Sequence, residues 1–150
     1  VQRRDPNLLE YNVRFGDPEA QPVLSLLEND LYLLLKSCVK GTLGTHEIRN
    51  KKGAACCVVM ASGGYPGEYK KGKEIFGFED AAKIENVYVF HAGTKEEGGK
   101  ILTNGGRVLG VTGTGSGIED AIKIAYSGVG KISWEKEYHR TNIGAKARTH

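Results

Sequence analysis

The sequence has 150 residues, 21 of them glycine, about twice the usual ~7% share. Leu, Ile, Val and Phe sum to 36, enough for a packed core, which excludes a collagen-like or disordered chain. The 21 basic and 18 acidic residues leave a net charge of +3 with no Lys/Arg run longer than two, so no nucleic-acid partner is expected. No apolar run nears the ~18 residues that span a bilayer, and no membrane partner is expected. The three cysteines (Cys38, Cys56 and Cys57) are odd in number with no Cys-x-x-Cys spacing, as for reduced thiols in a cytoplasmic protein. The opening Val1-Gln2-Arg3-Arg4-Asp5-Pro6 has no apolar stretch after its arginines, is no signal peptide, and reads as a chain entered mid-domain.

Composition divides the chain. Only Gly16 lies in the first 40 residues, which hold 9 of the 12 leucines. After an Asp5-Pro6-Asn7 turn, Leu8–Phe15 alternates in the manner of a half-buried strand. Glu10, Asn12 and Arg14 share one face; Leu9, Tyr11, Val13 and Phe15 share the other. Asp17-Pro18-Glu19 then predicts a helix start with Asp17 as N-cap. That helix runs to about Lys36 on a stripe of Val23, Leu24, Leu27, Leu31, Leu34 and Leu35. The polar, Gly-punctuated text from 41 to 53 reads as a linker between a unit at 1–40 and one at 54–150.

The second unit opens with an apolar strand, Ala55–Ala61, and a loop, Ser62-Gly63-Gly64-Tyr65-Pro66-Gly67. Strands follow at Val87–His91, Lys100–Thr103 and Arg107–Thr112, the last two joined as a hairpin by Asn104-Gly105. Ser116-Gly117-Ile118-Glu119 has capping-box spacing and opens a helix that stops at Gly128. Lys131–Trp134 reads as a short strand, and the basic tail from Tyr138 frays near its end. The fold class is α+β, with mostly antiparallel strands and one good helix in the second unit.

Several constellations can carry chemistry. The Glu10 carboxylate and Asn12 carbonyl project side by side and are hard oxygen donors of the kind Mg²⁺ takes. Arg14 on the same face can hold a phosphate or carboxylate bidentately. Spacing alone is equally met by a solvated sheet face, which is the commoner case. Asp17 can cap the helix or bind a substrate amine or hydroxyl. Gly113-Thr114-Gly115-Ser116-Gly117 imitates a dinucleotide fingerprint, but its spacing is G-x-G-x-G, and capping and turn chemistry explain it better. Gly63-Gly64-Tyr65-Pro66-Gly67 can cradle a phosphate with its N–H groups, although a structural turn is the simpler reading. His46, His91 and His139 show no metal-ligand spacing.

The run Glu10-Tyr11-Asn12-Val13-Arg14-Phe15-Gly16-Asp17-Pro18-Glu19-Ala20-Gln21 resembles the motif of the phosphoribosylamine–glycine ligase family, the glycinamide ribonucleotide synthetases. The resemblance continues through Ala61–Gly67, His91-Ala92-Gly93-Thr94, Thr103-Asn104-Gly105-Gly106-Arg107-Val108-Leu109 and Arg140-Thr141-Asn142-Ile143-Gly144, covering Leu8 to Ala147 in order. It implies an ATP-dependent ligase of the ATP-grasp superfamily in purine synthesis, joining 5-phosphoribosylamine to glycine through a glycyl phosphate. Glu10 and Asn12 fall on the family's Mg²⁺ (or Mn²⁺) ligands, and Arg14 and Asp17 on its substrate side, Arg14 also in a catalytic role. Residues 1–40 then resemble the last strand and helix of an ATP-grasp domain, and 54–150 a barrel-sandwich-like C-terminal domain. Whole members of the family are much longer. The resemblance therefore implies a C-terminal third, inactive alone, whose partners are ATP, the two substrates and the remainder of the ligase chain. The other reading is a noncatalytic domain that kept the fold and binds a nucleotide or a partner protein.

Overall fold

A computed structural model of the chain describes residues 8, 10, 11 and 13–149. Its centre is strand β1, Ala54–Ser62. Cys56, Val58 and Met60 alternate into the core, while Cys57 and Val59 face the other side half-buried. Strand β2 (Val87–His91) and the long β5 (Arg107–Gly115) complete most of the sheet. The short β6 (Glu137–His139) closes it, giving the all-antiparallel order β2-β5-β1-β6. One face is covered by helix α4, Ile118–Val129, whose Ala121, Ile122, Ala125 and Val129 meet Val58, Met60, Val108 and Val111 in the core. The chain is thus mixed α/β with antiparallel sheets.

The Asn104-Gly105 hairpin does not form. Strand β4 (Lys100–Thr103) pairs with β3 (Thr94–Glu97) in a separate two-stranded sheet, and its other edge makes an isolated bridge from Leu102 to Glu74. The tight turn between those two is Gly98-Gly99, at φ 59° and 74°, the double positive φ that a mirror-image two-residue turn requires. Asn104–Gly106 instead carries the chain from the small sheet into the large one. Its local turn chemistry is satisfied without pairing the flanking strands, because β5 already has β1 and β2 on its two edges.

The G-x-G-x-G run is a packing device. A Cβ on Gly113 would lie 2.6 Å from the Ala121 carbonyl oxygen, and one on Gly115 would lie 2.6 Å from the Asp120 Cβ. These glycines let α4 settle onto β5. The capping box is also absent: the N-cap is Gly117, with no side-chain bond, and Ser116 donates to the Asp120 carboxylate. Lys131–Trp134 is no strand; Ser133 makes one isolated bridge to Phe76, while Ile132 and Trp134 bury themselves beside it. The tail after β6 ends in a short 3₁₀ helix, Ala145–Thr149.

The first 40 residues depart furthest from expectation. Leu8, Glu10, Tyr11, Val13 and Phe15 lie in no strand, and Val13 is 96% exposed. A strand needs a neighbour for its backbone and cover for its apolar face, and among the described residues nothing supplies either. The Asp5-Pro6-Asn7 turn lies outside the described residues. The predicted long helix is two helices, α1 (Ala20–Ser25) and α2 (Leu31–Lys40). Between them the polar 41–53 stretch runs alongside the chain. Glu28 N–H donates to Arg49 O at 3.0 Å, Lys51 N–H to Leu26 O at 2.7 Å, and Arg49 N–H to Asn29 Oδ1 at 2.6 Å. The first two bonds take backbone groups a continuous helix would use, and Asp30 restarts it by accepting from the Leu33 N–H. Of the predicted stripe only Leu34 is buried. Asp17 caps nothing; the N-cap of α1 is Glu19, without a side-chain bond.

Candidate functional site

Antiparallel register brings the motif loops to one end of the large sheet. β1 and β2 end there, and β5 and β6 begin there: His91 and Met60 both sit opposite Leu109, and Ser62 sits opposite Glu137. Ser62–Gly67, Ala92-Gly93 and Asn104–Gly106 therefore meet. Ser62 N–H and Oγ donate to the Gly106 and Gly105 carbonyls, each at 2.8 Å. Asn104 N–H donates to Gly93 O at 2.7 Å, and Gly93 N–H to Arg107 O at 3.0 Å. A side chain at Gly106 would overlap the Tyr65 ring, so these loops are packed on one another and do not hang as flexible tips. His91, at the edge, shares a 3.0 Å hydrogen bond with Thr94 Oγ1 and stacks on Phe78 of helix α3 (Phe78–Ala82) with ring centroids 5.2 Å apart.

Arg107 ties the Arg14–Gln21 segment to this end. Its Nη1 donates to the Asp17 carbonyl oxygen at 2.9 Å, and its Nη2 lies 3.2 Å from Asp17 Oδ2. The Gln21 amide holds the other carboxylate oxygen at 3.2 Å. Asp17 is thus clamped from both sides, and one guanidinium reads both its backbone and its carboxylate. Beneath the clamp is a cavity of about 220 Å³. Its floor is the outer face of β1 (Cys57, Val59 and Ala61), and Tyr65, Tyr138, Arg107 and Arg140 stand around it. Burial, with the Asp17 charge adding, pushes the Cys57 thiol above its ordinary value. Arg140 is held by Asn142 Oδ1 at 3.2 Å, and its carbonyl accepts from the Tyr126 hydroxyl at 2.6 Å.

Of the four residues expected from the sequence, three lie among the described residues. Asp17 sits at the sheet end. Arg14 is exposed and turns its Nη1 to the Phe15 carbonyl at 2.8 Å. Glu10 is exposed, and Asn12 lies outside the described residues. No group of three or more His, Cys, Asp or Glu among the described residues can hold a metal ion. Arg107 is the residue that spacing missed. Its signal was the Asn-Gly-Gly-Arg run, which reads locally as a hairpin turn.

Residues 55–146 match the family described as phosphoribosylglycinamide synthetase, C domain. The chain belongs to that family. It is 51% identical over 141 residues to a phosphoribosylamine–glycine ligase of Synechocystis, covering 93% of this chain and 33% of that one. It is 47% identical over 142 residues to a bifunctional purine biosynthetic protein of Schizosaccharomyces pombe, covering 95% and 18%. The crystal structure of a phosphoribosylamine–glycine ligase from Thermotoga maritima superposes with a TM-score of 0.73 at 38% identity, covering 93% of this chain and 34% of that one. The chain spans about a third of the length of its monofunctional relatives.

Proposed function

We propose that this domain is the C-terminal part of an ATP-dependent ligase that joins 5-phosphoribosylamine to glycine in purine synthesis. In that reaction the glycine carboxylate takes the γ-phosphoryl group of ATP, and the amine of phosphoribosylamine then displaces phosphate from glycyl phosphate. Positioning and charge neutralisation supply most of the catalysis such a reaction needs. One observation in the fold carries the reading. Arg107 clamps Asp17 and so docks the segment bearing Glu10, Arg14 and Asp17 onto the sheet end where the other motif loops converge. On this reading residues 1–40 complete an ATP-grasp core, 41–53 connect, and 54–150 form a barrel-sandwich-like lobe that closes over it. The exposed Val13, Phe15, Leu33, Leu35 and Val39 suit burial against the rest of such a core. Arg14, with its guanidinium at the surface, would hold an anionic substrate group and act in catalysis, and Asp17 would face the substrate side.

Mg²⁺ or Mn²⁺ fits the donor chemistry. Such ions are held by one or two carboxylates with waters and substrate phosphates, not by an all-protein cage, and Glu10 presents an exposed carboxylate. Glu10 and Asn12 would be the ligands, and the bound ion would neutralise charge on the ATP phosphates. We place the protein in the cytoplasm on its cysteine usage; no helix among the described residues is long and apolar enough to cross a membrane.

The 150 residues alone are expected to show no ligase turnover in a coupled ADP-release assay with glycine and phosphoribosylamine. Turnover by this chain alone would overturn the proposed division of the active site. In a chain carrying the rest of the ligase, Glu10→Gln is expected to cut kcat at least about 100-fold with an unchanged melting curve; unaltered kcat would remove Glu10 from the metal site.

A further inference from the structure

Arg107 stands where simple alternation along β5 would not put it. Gly113 lies against α4, and Val111 and Leu109 follow it into the core at every second position. A continued period of two would aim Arg107 the same way. The register slips first. Leu109 sits opposite Met60, but Arg107 sits opposite Ala61, so Val108 is an extra residue and β5 bulges there. Val108 is fully buried, and Arg107 emerges with Ala61 at the outer cavity, beside Asp17. The chain after β2 holds the bulge in place: Ala92 N–H donates to the Val108 carbonyl and Gly93 N–H to the Arg107 carbonyl, each at 3.0 Å. Once re-aimed, one guanidinium nitrogen takes the Asp17 carbonyl oxygen and another meets its carboxylate, so the place and the torsion of that residue are both set. Gln21 holds the second carboxylate oxygen. Both charged groups are partly exposed and screened by solvent, so stability is not what the arrangement chiefly secures. It fixes the loop three residues after Arg14, whose guanidinium turns back to the Phe15 carbonyl.

We propose that Arg107 is a positioning residue of the ligation reaction, acting through Asp17 on the Arg14 loop and touching no substrate itself. This role rests on the ligase reading and adds to it a part for the second unit in the chemical step. The bulge of β5 sets the angle at which Arg14 meets its anionic substrate group. A misplacement of about 1 Å at such a group is enough to cost roughly 100-fold in rate. Bulges beside active sites serve to re-aim a side chain in this way.

In a chain carrying the rest of the ligase, Arg107→Met is expected to lower kcat about 10- to 100-fold. KM for glycine and for ATP should move less than about threefold, because the substrate contacts stay in place. Arg107→Lys should fall between, since a single ammonium cannot serve the carbonyl and the carboxylate together. Both variants are expected to keep the native melting curve. On an Asp17→Asn background, which removes the charge that Arg107 holds, Arg107→Met should cost less than about threefold more. Native kcat in Arg107→Met overturns the role. So does a loss carried by KM, or a loss of full size on the Asp17→Asn background, either of which makes Arg107 a substrate contact. Should Arg107→Met melt early, Arg107→Lys decides, and native kcat with native melting in that variant overturns the role. A native chain without turnover overturns the ligase reading and this role with it, whereas native turnover matched by Arg107→Met overturns this role alone.

Discussion

Cys56 and Cys57 are adjacent in the chain and point to opposite faces of β1, as the period of a strand demands. Both thiols are pushed above the ordinary value of about 8.5, chiefly by burial. Cys38 is exposed. At pH 8 a thiol reagent is therefore expected to modify one cysteine quickly and the other two at least about tenfold more slowly, with all three equal after denaturation. The folded state holds these two protons more tightly than the unfolded chain. Their contribution to stability is thus fully present below the ordinary thiol value and is lost as pH rises towards the folded values. Denaturant midpoints measured from pH 7 to 10 should fall at the alkaline end, and Cys57→Ser should flatten part of that fall. The same scale shows where local reading misleads. Asp17-Pro18-Glu19 has the spacing of a helix start, but the Asp17 carboxylate has a better partner in Arg107, 90 residues away.

Among the elements, strands and helix α4 were legible wherever burial enforces periodicity. The apolar run at 55–61 became Ala54–Ser62, Val87–His91 formed as expected, and the helix after Gly117 formed with its Ala121, Ile122 and Ala125 face inward. Pairing was not legible. Asn104-Gly105 specifies a turn but not which strands flank it, and that choice was made by β5 burying both its edges. The glycine run of β5 has a similar lesson. Its reason lies across the interface, where α4 leaves no room for a Cβ. Gly113→Ala is expected to destabilise the fold by about 3 kcal/mol, because the new methyl meets backbone that cannot step aside. Gly72→Ala, at a glycine with open space around it, tests the positive-φ cost alone and should lose about 1 kcal/mol in the same urea titration.

Across the whole molecule, Arg107 fastens the early segment to the sheet through a charged contact with Asp17. Its guanidinium and the Asp17 carboxylate are both about two-fifths exposed, so solvent screens the pair. Arg107→Ala should accordingly change global stability by no more than about 1 kcal/mol. It should nevertheless make the chain before α1 more sensitive to limited proteolysis, while the sheet stays resistant. Unchanged cleavage would show that α1 alone holds the segment. The apolar residues left bare on the segment and on α2 follow from the same architecture: their side chains outnumber the surface this chain offers them.

Taken alone, the sequence determined the class of fold, the strands and helix that bury one face, and the family, whose motifs it carries in order from end to end. Those are properties of short stretches, where periodicity, turn residues and motif spacing act over a few positions. Only the tertiary structure decided that the motif loops converge at one sheet end and that Arg107 and not a helix cap takes Asp17. Each of these depends on groups tens of residues apart. Their meeting is set by which surfaces must be buried together, and no local pattern encodes that.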